Sequence, residues 1–217
     1  MITVYGANVS PFVRKVRVFL AEKGIAYKLE PVNPFAAGPE YKKISPLGRI
    51  PAFQDGNVTL ADSSVICAYV EKTNPQPALI PAAPADYAQA LWFEEYGDSG
   101  LSPIFGSQIF FQRIVMPLFM KQPGDETMAQ TAIAEKLPPL FDYLEGVLDD
   151  RATLVGSSFT LGDIGVATQF VNLRHAGVTV DAQRWPKLAR YIAAVHGRPS
   201  FAAVIEEEEA GLKKARG

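Results

Sequence analysis

The sequence predicts a small α/β domain in the order β-α-β, loop, β-β-α, followed by an all-α domain. Three observations carry this prediction. Runs with strand character are confined to the first third of the chain. Beyond it, apolar residues recur at helical spacing over long stretches. Between the two lies 74–85, where Pro75, Pro77, Pro81 and Pro84 exclude a regular helix and mark a linker. The expected boundaries are therefore 1–76 for the first domain, 77–85 for the linker and 86–217 for the helical domain.

Each element has a local cause. Residues 2–5 are β-prone, and the turn after them leads into Ser10-Pro11, a hydroxyl N-cap with proline at the first helical position. Over 12–23, Phe12, Val13, Val16, Phe19 and Leu20 form an apolar stripe, and Arg14, Lys15, Arg17 and Lys23 are expected to decorate the opposite side. Gly24 ends this helix. A second strand over 27–32 completes a β-α-β unit with a parallel pair, and a loop rich in Pro, Ala and Gly follows. Asp55-Gly56-Asn57 between two β-prone runs, 51–54 and 58–60, predicts a hairpin, after which Asp62 or Ser63 caps a helix reaching about Thr73.

The expected helices of the second domain are 86–120, 127–148, 161–174, 186–196 and 199–214. Gly97, Gly100, Pro103, Gly106 and Pro117 should bend or break the first. Thr160-Leu-Gly-Asp163 has the form of a capping box that serves folding, and Glu206–Glu209 reads as a solvated helix face.

Composition removes several classes of function. A formal charge of −2, with 21 Lys and Arg scattered among 23 Asp and Glu, offers no concentrated basic field for a phosphate backbone. No apolar run approaches the roughly 18 residues that a membrane span requires, and no basic region precedes a greasy stretch at the N-terminus, so a soluble cytoplasmic protein is expected. One cysteine, Cys67, rules out an intramolecular disulfide. It is expected to pack as a small apolar group. With His175 and His196 the only histidines, no metal site is expected.

Three motifs carry chemistry. Val9-Ser10-Pro11-Phe12-Val13-Arg14-Lys15 places a hydroxyl at a helix start, Ser45-Pro46-Leu47-Gly48-Arg49-Ile50-Pro51 precedes the hairpin, and Leu60-Ala61-Asp62-Ser63 follows it. In this order, with a helical domain behind them, they resemble the cytosolic glutathione S-transferase superfamily. The N-terminal motif is most similar to the serine-type tau class, and the whole to a bacterial-type member. Ser158–Asp163 and Arg198–Phe201 resemble landmarks of the same family's helical domain, so the likeness covers nearly the whole chain.

The resemblance implies a thioredoxin-like first domain that binds glutathione as co-substrate, with no metal. It implies that Ser10 donates to the thiol sulfur, with Asn8 in the preceding turn as the alternative. A helix N-terminus carries about half a positive charge. Lowering a thiol pKa from about 8.5 to about 6.5 takes roughly 2.7 kcal/mol, within reach of that charge and one hydroxyl hydrogen bond. The resemblance further implies a cis Pro51, a backbone contact from Ile50 to the cysteinyl group, Arg49 near the glycyl carboxylate, and Asp62 and Ser63 on the γ-glutamyl end. Read from the residues alone, Arg49 is equally a solvated loop charge, and Asp62 an ordinary cap. The loop 33–39 lacks the basic residue that family members often carry, and Lys42 and Lys43 come slightly later.

An electrophile pocket is expected where the helical domain faces the first helix, lined by Phe12, Phe105, Ile109, Phe110, Phe111, Met116 and Phe119. The implied reaction is detoxifying conjugation of the glutathione thiolate to apolar electrophiles. The implied partner is a second copy in a homodimer, with Asp98 reaching the neighbour's glutathione. Two other glutathione readings stay open: a glutathione-dependent isomerase or dehalogenase, and a non-catalytic binding protein that works through protein partners. A thiol-disulfide enzyme is disfavoured, because Ser10 stands where its cysteine would be. A Ser-His-Asp hydrolase lacks the Gly-x-Ser-x-Gly elbow.

Overall fold

The structure, a computed structural model, describes residues 1–149 and 151–216. Its contacts divide the chain into two compact units, Met1–Ile80 and Pro81–Gly217.

The first unit runs β1 (Ile2–Gly6), α1 (Pro11–Glu22), β2 (Tyr27–Pro31), α2 (Pro39–Ile44), β3 (Ala52–Asp55), β4 (Val58–Leu60) and α3 (Ser63–Thr73). The sheet order is β2-β1-β3-β4. β1 and β2 are parallel, as a β-α-β unit requires, whereas β1 with β3 and β3 with β4 are antiparallel. This is a thioredoxin-like α/β domain. Val4 sits in register with both Leu29 and Phe53, and Val4, Phe53, Val16, Phe19, Ile66 and Val70 form its core. Cys67 is buried with them. Gly24, at φ +68°, ends α1 in the left-handed conformation that a side chain would resist.

The charged face expected for α1 is not a solvated one. Val13 to Leu20 are all buried, Arg14 and Lys15 completely so. Helical periodicity separates apolar from charged positions but cannot tell water from paired burial on the charged side. A buried cation must find acceptors, and these do. Arg17 Nε donates to the Tyr27 hydroxyl at 2.8 Å, and Lys15 Nζ to Ser64 Oγ at 3.2 Å. Lys23 Nζ meets Glu71 at 2.6 Å and the carbonyls of Asn74 and Pro77.

The loop after β2 contains a 3-10 turn, Pro34–Ala36, and then α2, which the composition of the loop concealed. Its signals are ordinary ones: Pro39 in the first turn, Glu40 beside it, and Lys42 and Lys43 in the last turn.

The second unit is helical throughout. α4 (Pro84–Glu95) starts two residues earlier than expected, because Pro84 occupies the first helical position, where no N–H is required. The chain does not break at the glycines and prolines that follow. It continues with π-type hydrogen bonding over Tyr96–Leu101 and Pro103–Phe119. α5 (Glu126–Thr131) passes through a π-type turn, Ala132–Lys136, into α6 (Leu137–Leu148), and α7 (Leu161–His175), α8 (Pro186–His196) and α9 (Pro199–Arg216) complete the unit. Gly97 is needed where the α4 continuation crosses α7, since a Cβ there would lie 2.4 Å from the Gly165 carbonyl oxygen. No helix among the described residues is long and apolar enough to cross a membrane.

α7 opens on the expected capping box. Asp163, fully buried, accepts from the Thr160 N–H at 2.8 Å and the Thr160 hydroxyl at 3.0 Å through one oxygen. Its other oxygen accepts from the Leu154 N–H at 2.9 Å and the Tyr191 hydroxyl at 2.8 Å. The glutamate run in α9 is only partly solvated. Glu208 is buried against His175 at 2.8 Å, and Glu209 pairs with Arg174.

Candidate functional site

The sheet register gathers the sequence-predicted residues at one edge of the first unit. Tyr5 lies opposite Ala52, so the end of β1 and the start of β3 coincide, and Leu60 at the end of β4 lies opposite Phe53. Three connections therefore leave from the same side: the turn into Ser10, the segment ending at Pro51, and the step from β4 into Asp62. Such an edge, where chain segments and helix starts meet beyond strand ends, is a common place for ligands in α/β sheets.

Ser10 is the N-cap of α1, with extended backbone at φ −74° and ψ 127°. Its hydroxyl accepts from the Val13 N–H at 3.4 Å, a long bond, and no acidic residue stands in the first turn. The side chain is half-buried, so the positive end of α1 stays accessible. Asn8 lies in the turn just before it, and Ser10 N–H closes that turn onto the Ala7 carbonyl at 3.1 Å.

The Ile50–Pro51 peptide is cis, with Pro51 buried and Ile50 half-buried. The loop ahead of it is held by its own backbone and by α2. The Arg49 carbonyl accepts from the Tyr41 hydroxyl and from Ser45 Oγ, each at 2.8 Å, and Gly48 turns the chain at φ +66°. Burial beside this loop pushes the Tyr41 hydroxyl above its usual pKa, against the opposing effect of its Ser45 neighbour. The Arg49 side chain is exposed. The motif reading included Ser45 without giving it this role and missed Tyr41, which stands in an unrecognised helix.

Asp62 caps α3, its carboxylate accepting the Ser64 N–H at 2.9 Å and the Val65 N–H at 3.0 Å. Ser63 is buried at the first helical position. The Lys15 bond to Ser64 ties the first turn of α3 to α1, and so ties the Asp62–Ser63 corner to the helix that begins at Ser10.

The predicted pocket residues divide. Phe105 and Ile109 have no exposed surface, and Phe105 stands edge-on to Phe141 and Phe170 at 6.0 and 5.2 Å. Both belong to the core of the helical unit, as aromatics at helical spacing usually do, and Phe110 is almost as deeply buried. Phe12, Phe111 and Met116 are half-buried and Phe119 is exposed. Asp98 is half-buried in the π-type segment. No group of His, Cys, Asp or Glu suited to a metal ion occurs among the described residues.

Comparison with known proteins agrees with this fold. Residues 4–78 match the glutathione S-transferase N-terminal domain model, and residues 127–194 match the glutathione S-transferase C-terminal domain model. The uncharacterized GST-like protein YibF of Escherichia coli (strain K12) is 30% identical over 203 residues, 91% of this chain and 95% of that protein. The chain belongs to the glutathione S-transferase family. It is thus an enzyme of the transferase type with glutathione as co-substrate. The crystal structure of glutathione transferase F2 from Populus trichocarpa superimposes with a TM-score of 0.83 at 28% identity, covering 97% of this chain and all of that one. A maleylacetoacetate isomerase of Pseudomonas aeruginosa is 28% identical over 195 residues, 86% of this chain and 87% of the isomerase.

Proposed function

We infer that the protein conjugates the glutathione thiolate to apolar electrophiles, with Ser10 as the group that activates the thiol. The observation that carries this reading is the open start of α1. Its cap bond is long, its first turn holds no acid, and the helix end faces the same sheet edge as Pro51 and Asp62. An anionic sulfur placed there gains the helix field and the Ser10 O–H as donor. Ile50 offers backbone to the cysteinyl group, Arg49 a guanidinium to the glycyl carboxylate, and Asp62 a carboxylate to the γ-glutamyl ammonium, with Ser63 beside it. Asn8 is the alternative thiol partner. Phe111, Met116 and Phe119 keep exposed surface and are the apolar side chains of the helical unit proposed to meet the electrophile.

The protein is proposed to act in the cytoplasm as a homodimer, with Asp98 reaching the partner's glutathione. Support for the dimer comes from an exposed aromatic face on the helical unit, where the Trp92 indole N–H, on a residue 53% exposed, donates to the Tyr143 hydroxyl at 3.0 Å.

Retention on glutathione-agarose together with conjugation of chlorodinitrobenzene tests the reading. Retention with turnover supports it, retention without turnover of this electrophile counts against conjugation of apolar electrophiles, and the absence of both overturns it. A second reading, a glutathione-dependent cis-trans isomerase, is favoured by the likeness to maleylacetoacetate isomerase. It predicts turnover of maleylacetoacetate without net consumption of glutathione, and little conjugation.

A further inference from the structure

The two helix starts at the site differ in charge. At α3, the Asp62 carboxylate already accepts the Ser64 and Val65 N–H groups, so the positive end of that helix is engaged by an anion of the chain itself. Under the glutathione reading, the γ-glutamyl group brings a second carboxylate to the same turn. Its ammonium meets Asp62, and the carboxylate that comes with it needs donors of its own at that turn.

α1 brings a cation to this turn from behind. Lys15 has no exposed surface, yet its ammonium reaches across to α3, where one of its partners is Ser64 Oγ at 3.2 Å. A lysine is seldom so deeply buried, because desolvation is costly and an unbranched apolar side chain would fill the same space without that cost. Its position is specific. It stands on the helix that begins at Ser10, and it touches the residue whose N–H is bonded to Asp62. A serine hydroxyl that accepts from an ammonium is polarised and becomes a better donor to an anion.

Building on the glutathione reading, we propose that Lys15 is a positioning residue for the α-carboxylate of the γ-glutamyl group, acting through Ser64. The ammonium orients the Ser64 hydroxyl toward the incoming carboxylate. The same bond fixes the spacing between the α3 start and the α1 start, so the γ-glutamyl end and the cysteinyl thiol are placed by one side chain.

Titration calorimetry on the full-length protein tests this with two ligands: glutathione, and 4-aminobutyryl-cysteinylglycine, which is glutathione without its α-carboxylate. Lys15→Met is expected to weaken glutathione about tenfold and the decarboxylated analogue less than twofold, and Lys15→Arg to restore most of the loss. Equal weakening of both ligands would mark Lys15 as a general structural residue and overturn the proposal, as would no weakening at all. If Lys15→Met does not fold, Ser64→Ala serves instead, with about a threefold loss expected for glutathione alone. Wild-type protein that binds neither ligand overturns the glutathione reading and this proposal together, whereas failure of the variant pattern overturns only the proposal.

Discussion

Helices α1 and α7 begin on the same sequence device, a hydroxyl N-cap ahead of an apolar run, and the structure finishes them differently. At α7 the cap is closed. Thr160 is buried, its N–H and hydroxyl both go to Asp163, and the two oxygens of Asp163 collect four donors between them. At α1 the cap is open. Ser10 is half-buried, its side-chain bond to the helix is 3.4 Å long, and no acidic side chain occupies the first turn. The difference teaches what a helix start can still offer: the closed cap engages the positive end of its helix, and the open one leaves it available, which is why the proposed thiol role falls to Ser10.

Emptying the closed cap should have the largest effect. Asp163→Ala leaves the Leu154 and Thr160 N–H groups and the Tyr191 hydroxyl without their acceptor in the interior, and should cost about 3 kcal/mol or more in urea unfolding. Glutathione affinity should stay within about twofold. A parallel loss of affinity would mean that α7 and the site are coupled and that the closed cap is not purely structural.

The same carboxylate predicts a pH effect of definite sign. Burial pushes Asp163 above the ordinary carboxylate pKa, against the bonds from Leu154, Thr160 and Tyr191 that favour the anion. A folded-state pKa that is raised contributes stability below the unfolded value of about 3.9 and loses it as pH rises through the folded value. Wild-type stability, measured relative to Asp163→Asn, should therefore decline from about pH 4 upward and level off once the folded carboxyl is ionised. A difference that grows with pH instead would show that the four donors outweigh burial.

At the open cap the expected loss is in rate. Ser10→Ala should lower kcat by about a hundredfold while glutathione affinity changes less than about threefold, because the hydroxyl favours the thiolate more than it anchors the tripeptide. Ultraviolet absorbance of bound thiolate should show its pKa moving up by about one unit or more. Unchanged turnover would make Ser10 a plain cap and move the thiol role to Asn8.

How much of this was legible in the sequence follows from how local each feature is. The caps at Ser10, Asp62 and Thr160 could be read directly, since an N-cap needs only its own turn. The gathering of Ser10, Pro51 and Asp62 at one edge was legible through order, because β-α-β followed by a hairpin fixes which strand ends coincide. The burial of Arg14, Lys15 and Arg17 was not, because helical spacing reports a polar face without reporting what covers it. The error at Glu208 has the same origin: a run of four glutamates reads as solvated until His175, 33 residues earlier, is brought against it. Phe105 and Ile109 reverse the case. Their apolar character was plain, but core and pocket lining look alike before the packing of Phe141 and Phe170 is known.

The smallest effect separates the two caps most directly. Capping hydroxyls contribute about 0.5–2 kcal/mol, and where a given one falls depends on bond length and burial. Thr160 bonds at 3.0 Å to a carboxylate inside the protein, so Thr160→Ala should cost about 1.5 kcal/mol. Ser10 accepts at 3.4 Å beside solvent, so Ser10→Ala should cost about 0.5 kcal/mol or less in the absence of ligand. Both are read as shifts in urea midpoint at unchanged slope. Saturating glutathione should then widen the gap between Ser10→Ala and wild type, because ligand stabilisation follows affinity and only the wild type holds the thiolate fully. A Ser10→Ala loss as large as that of Thr160→Ala, and indifferent to glutathione, would show that α1 begins on a structural cap after all.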